Sequence, residues 1–173
     1  MSYYTVSRNC ELSLLKFIED SVTNDWTGVT VIKSWSERDK VENPVICITL
    51  DNTTYTRKEL GNTQFRDTYV FIIEVFAKSE AMRIDLTDYI MNTLNPGWTY
   101  YTAEKGSGTV RSLNYTSAGR CRIDSIYSND KVDLGEMCDV KDRYRQNIVL
   151  GVTVGVAVEG NSFLYFASVS ATL

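Results

Sequence analysis

Apolar residues recur along this chain at two spacings, one that suits a helix and one that suits a strand. Cys10, Leu14, Phe17 and Ile18 fall at i, i+4, i+7 and i+8. That stripe predicts an amphipathic helix over residues 9 to 22, with Asn9 or Ser7 as its N-cap. Gly28 ends the helical pattern, and Val29 to Ile32 reads as a short strand. Pro44 then introduces Val45 to Leu50, apolar on both faces apart from Thr49, as an inner strand would be. Residues 51 to 66 are polar and read as a long loop. Connections of that length inside a domain tend to be functional, so partner contact is expected at Arg57, Lys58, Glu59, Leu60 and Phe65.

Asp67 to Lys78 is a long strand signal. Tyr69, Phe71, Ile73, Val75 and Ala77 lie on one face, and Val70, Ile72, Glu74, Phe76 and Lys78 on the other. Ser79 is placed to cap a second helix whose stripe is Met82, Leu86, Tyr89 and Ile90, and Asn95-Pro96-Gly97 stops it. Beyond it, Arg120 to Tyr127 alternates weakly, as a strand or a strand-like arm, within a stretch 98–143 expected to act as an interface arm. Tyr144 to Glu159 is rich in valine with small residues on its second face, and reads as a strand. The apolar segment 160–173 contains Phe163, Leu164, Tyr165 and Phe166. Left exposed it would promote aggregation, so it is expected to pair in the sheet or dock on a partner. The order α-β-β-β-α-β-β over residues 1–173 predicts a single α+β domain, a mostly antiparallel sheet flanked by two amphipathic helices.

Composition narrows the function classes. Apolar residues at 43% and charged residues at 23% are ordinary globular values, so the chain is expected to fold without a disulfide or metal staple. A net charge of −4 gives no overall positive field to draw it onto nucleic acid or an anionic membrane. The start Met-Ser-Tyr-Tyr-Thr-Val lacks the basic and apolar regions of a signal peptide, which points to a cytoplasm-like compartment. A histidine count of zero removes Ser-His and Cys-His activation and the commonest general base. The four cysteines include no C-x-x-C pair and read as small buried hydrophobes.

Three constellations were weighed for chemistry. The acidic group Asp130, Asp133, Glu136, Asp139 and Asp142 fails the calcium-loop spacing, because Val132 stands where the third-position ligand belongs. Glu74 and Lys78 could serve a metal-dependent nuclease, but a surface or cross-strand ion pair explains them better. Trp98, Tyr100 and Tyr101 could stack on bases, yet without surrounding positive charge they read as core or interface aromatics. No catalytic residue, cofactor or metal is therefore expected.

The run Pro44 to Leu50, then Glu59-Leu60-Gly61, then Tyr69 to Lys78, then Leu86, Asp88, Ile90 and Leu94, resembles the tail terminator and tail-completion (head–tail connector) subunits of tailed bacteriophages. The likeness covers about residues 9–94, with Tyr144 to Val158 as the returning strand. It implies a virion protein of the head–tail junction, assembled in the bacterial host cytoplasm. It also implies a homo-oligomeric ring, commonly hexameric, that meets the tail tube protein and neck proteins and lets DNA pass without specific binding. An acidic lumen would repel phosphate and favour sliding. The alternatives are another neck component or adaptor of the same fold, and an enzyme with carboxylate chemistry.

Overall fold

The computed structural model describes residues 4–33, 41–57, 65–105, 113–128, 143–158 and 162–165. Helix α1 runs Val6–Asp25 and starts earlier than the apolar stripe suggested, because Thr5 is the N-cap and its hydroxyl accepts from the Arg8 amide. Asn9, expected as the cap, instead sits buried inside the helix. Short strand β1 is Thr30–Ile32, β2 is Val45–Arg57 and β3 is Phe65–Phe76. Helix α2 follows as Glu80–Leu94, with the Ser79 side chain accepting from the Met82 amide as its cap. The remaining strands are β4 (Trp98–Ala103), β5 (Tyr115–Ser128), β6 (Arg145–Val158) and β7 (Ser162–Tyr165).

These strands form one seven-stranded sheet in the order β1-β2-β3-β6-β5-β4, with β7 also on β6. Among the described strands only the β1–β2 pair is parallel. The fold is thus α+β with a mostly antiparallel sheet, as expected. Two strands that the apolar pattern did not give, β4 and β7, are added to it. The stretch 98–143, expected as an arm, contributes β4 and β5 to the sheet, and Trp98, Tyr100 and Cys121 of these strands are in the core.

Both helices cover the same sheet face. Cys10, Leu14, Ile18 and Val22 of α1 and Leu86, Ile90 and Leu94 of α2 join Ile46, Phe71, Ile73, Leu150 and Val152 in one cluster. Full burial of each such side chain contributes about 1.5–3 kcal/mol. The opposite face carries a smaller cluster of Ile32, Val45, Cys47 and Phe76. Glu74, buried beside it, meets Arg145 in an ion pair. The turn from α2 into β4 depends on Gly97, whose φ is +71° and whose β-carbon position would overlap the Cys121 carbonyl.

Candidate functional site

Residues 51–66, read above as a loop, are a correction: 51–57 and 65–66 are the paired ends of β2 and β3. The signal was hidden because the start of this part of β2 shows no apolar alternation. Asp51, Asn52 and Thr54 are exposed, so selection for alternating apolar residues is absent, while threonine and tyrosine still favour extended backbone. The β3–β6 ladder stops at Tyr69↔Val152, whereas the β2–β3 ladder continues through Asn52↔Val70 to Arg57↔Phe65. Beyond Tyr69 the hairpin therefore parts from β6, which itself continues to Val158 with β7 on the side that β3 leaves, and the end of the β2–β3 ladder forms a two-stranded arm. A register shift between Leu50 and Asn52 marks a bulge at Asp51, at the root of that arm.

The arm also has an open side. Strand β1 covers β2 only along Val45, Ile46 and Cys47, and among the described residues no other strand lies on that edge. The opposite border of the sheet is treated in the contrary way. Asn9 of α1 accepts from the Ala103 amide at 3.1 Å through Oδ1 and donates to the Tyr4 carbonyl at 3.0 Å through Nδ2. The Tyr4 amide in turn donates to the Ala103 carbonyl. One turn on, the Ser13 hydroxyl accepts from the Tyr101 amide at 2.8 Å. Two polar side chains at i and i+4 of α1 thus plug the backbone of edge strand β4, a role the sequence reading missed. The signal was present as Asn9 and Ser13, four residues apart on one side of α1.

The residues expected at an interface fall into two places. Arg57 and Phe65 are register partners at the described end of the arm. Phe163, Leu164 and Tyr165 lie in β7, paired with Ala157, Val156 and Gly155 of β6, so this part of the apolar segment joins the sheet. Lys58, Glu59, Leu60 and Phe166 lie outside the described residues, as do the acidic group from Asp130 to Asp142 and Cys138.

The groups weighed for chemistry take structural places. Glu74 is engaged by Arg145, whose guanidinium also lies 5.5 Å over the Phe76 ring, while Lys78 is exposed beyond the strand. Trp98 stacks on Phe17 of α1 at 5.9 Å, and burial pushes the buried Tyr100 hydroxyl up to about 12. Cys10, Cys47 and Cys121 are buried, and burial, then the Cys121 thiol 3.9 Å away, raises Cys10 well above the ordinary thiol range. No three potential metal-ligating side chains converge among the described residues.

A cleft of about 440 Å³ opens between α1 and β4, lined in part by Lys16, Asp20, Thr99, Tyr101 and Arg120. Its two cations already have partners: Lys16 Nζ meets Asp20 at 2.8 Å and Arg120 donates to the Pro96 carbonyl at 2.6 Å. No described helix is long and apolar enough to cross a membrane. No protein-family model matches the chain, and no curated protein matches it.

Proposed function

We propose that this chain is a structural assembly subunit that associates with copies of itself through the β2–β3 arm. In its particular form the proposal is a head–tail connector ring of a tailed phage, ending the tail tube and joining it to the neck. The observation that carries the assembly reading is the arm from Thr54↔Thr68 to Arg57↔Phe65, which among the described residues pairs with no third strand on either side. An isolated two-stranded ribbon is marginal in water, and a third strand or a packed surface is what stabilises one. A protein surface that accepts the arm supplies both. The arm on one side of the subunit and its receptor elsewhere make a heterologous contact, the kind that closes into a ring when the rotation allows. The phage assignment is supported by the resemblance in the strands and helix from Pro44 to Leu94.

Native mass spectrometry and negative-stain images of one purified sample test this. Discrete closed rings are expected, with ring formation lost when Asn52–Arg57 and Phe65–Thr68 are replaced by a short turn. A chain that stays monomeric at high micromolar concentration, alone and with tail tube protein, overturns the reading. Oligomers that survive replacement of the arm overturn its role.

A further inference from the structure

We propose that the cleft between α1 and β4 is a binding site for a small organic carboxylate with a flat apolar body, held by Arg120 and Lys16 against Phe17 and Tyr101. The site uses no residue of the β2–β3 arm, so it stands apart from the assembly reading. Three observations carry it.

The first is size and charge. At about 440 Å³ the cleft falls in the range of small-ligand sites. Its charged lining residues are Lys16, Arg120 and Asp20, a local excess of one positive charge on a chain whose net charge is −4. A second cleft of about 360 Å³ shares Gly97 and Arg120 with the first, so this arginine borders both. A concave surface with one sign of charge in excess concentrates the opposite ion.

The second is the supply of unspent donors. Arg120 gives one bond, from Nη2 to the Pro96 carbonyl at 2.6 Å. That bond orients the planar guanidinium and leaves its other N–H groups for an oxyanion. Lys16 meets Asp20 at 2.8 Å, but the Asp20 side chain is 63% exposed. An i,i+4 pair so open to water is weak, and a second carboxylate can share the lysine. Trp98 also lines the cleft, and its indole Nε1 is a buried donor without a hydrogen-bond partner among the described residues. Such groups are rare in folded proteins, and a bound acceptor is one arrangement that satisfies them.

The third is the apolar wall. Phe17 and Tyr101 are half-buried in the lining, and Phe17 stacks on Trp98 at 5.9 Å with the ring planes 20° apart. A flat ring extends a stack of this kind, while its carboxylate meets the cations of the same cleft. Charge decides between the common oxyanions. A phosphate monoester carries about −1.5 to −2 at neutral pH, more than the excess of one, and Asp20 in the lining opposes the surplus. A single carboxylate matches it.

Saturation-transfer NMR on benzoate, titrated into the full chain, tests the site. Saturable binding is expected with a dissociation constant of ~1–10 mM, and none with benzyl alcohol, which keeps the ring and lacks the charge. Arg120→Gln should weaken binding about tenfold or more. Asp20→Asn frees Lys16 and should tighten it about threefold, a gain that damage to the fold does not produce. No saturable binding up to about 50 mM overturns the site. Equal binding of benzyl alcohol, or unchanged affinity in Arg120→Gln, overturns recognition of the carboxylate by charge. Affinity in Asp20→Asn that stays the same or falls overturns the role of Lys16, and inorganic phosphate displacing benzoate at a lower concentration overturns the choice of carboxylate.

Discussion

Replacing Asn9 by alanine would remove the plug from the β4 edge at a single residue. Asn9 is 2% exposed and satisfies two backbone groups, the Ala103 amide and the Tyr4 carbonyl. Ala103 is fully buried, so its amide would be left without a partner and without water, at a cost of about 1–3 kcal/mol. Tyr4 is half-buried and its carbonyl can be rehydrated, so that loss is nearer about 0.5–1.5 kcal/mol. The sum is about 1.5–4.5 kcal/mol, which for a chain of this length lowers the melting temperature by about 3–18 °C. Hydrogen exchange at the Ala103 amide locates the effect, and its protection should fall more than that of Ile73 in the sheet centre. Asn9→Asp separates the two bonds, because it keeps the acceptor for Ala103, loses the donor to Tyr4, and buries a carboxyl group. Burial disfavours the charged carboxylate, so this variant should be weakest at neutral pH and recover as pH falls and the carboxyl protonates. A melting temperature for Asn9→Ala within 2 °C of the parent, with Ala103 protection unchanged, would refute the reasoning about roughly 1 kcal/mol or more per orphaned group.

Two further outcomes follow from the backbone and the core. Gly97 and Gly28 both have positive φ, +71° and +79°, but only at Gly97 would a β-carbon overlap a neighbouring backbone, whereas none lies within 4 Å of the position at Gly28. Gly28→Ala should therefore cost about 1–2 kcal/mol from φ alone, and Gly97→Ala clearly more, as read by chemical denaturation; equal losses would remove the role given to the Cys121 carbonyl. Tyr100 ionises in the fold only near about 12, above the ordinary tyrosine value of 10.0. A group whose folded pKa is raised stabilises fully below its unfolded pKa and loses that contribution as pH rises through the folded one. Stability should thus decline between about pH 10 and 12, and Tyr100→Phe should flatten part of that decline; an identical alkaline profile would show that Tyr100 is not its source.

The parts of the fold that were legible in the sequence are those that bury one face. Strand β3 alternates because Tyr69, Phe71, Ile73 and Val75 face the helices, and α2 shows both its Ser79 cap and its Asn95-Pro96-Gly97 stop. The arm was hidden for the converse reason: its ladder is held by backbone bonds and cross-strand neighbours, which leave no periodic apolar trace. Helix α1 was placed but its start was misjudged, since its N-terminal half buries Asn9, Glu11 and Ser13 alongside Leu12 and Leu14 and so carries no simple stripe. Strand β4 was passed over because Trp98, Tyr100 and Tyr101 come as an aromatic cluster, and only pairing with β5 shows Trp98 and Tyr100 turned into the core. Of the residues expected at an interface, Arg57 and Phe65 are register partners at the described end of the arm.

Among the described residues the two borders of the sheet are treated differently. A helix packed along an edge need not bond to it, because hydrophobic contact alone would hold α1 over the cluster around Cys10 and Leu14. Burying Asn9 and Ser13 there is costly unless each polar atom finds a partner, so their place is explained by the backbone groups of β4 that they satisfy. The same device is missing along the described length of β2 past Cys47, where the register instead shifts at Asp51. A bulge changes the twist of an edge but leaves its donors and acceptors available on either side. Among the described residues one border is thus chemically spent, while the other carries no such plug past Cys47.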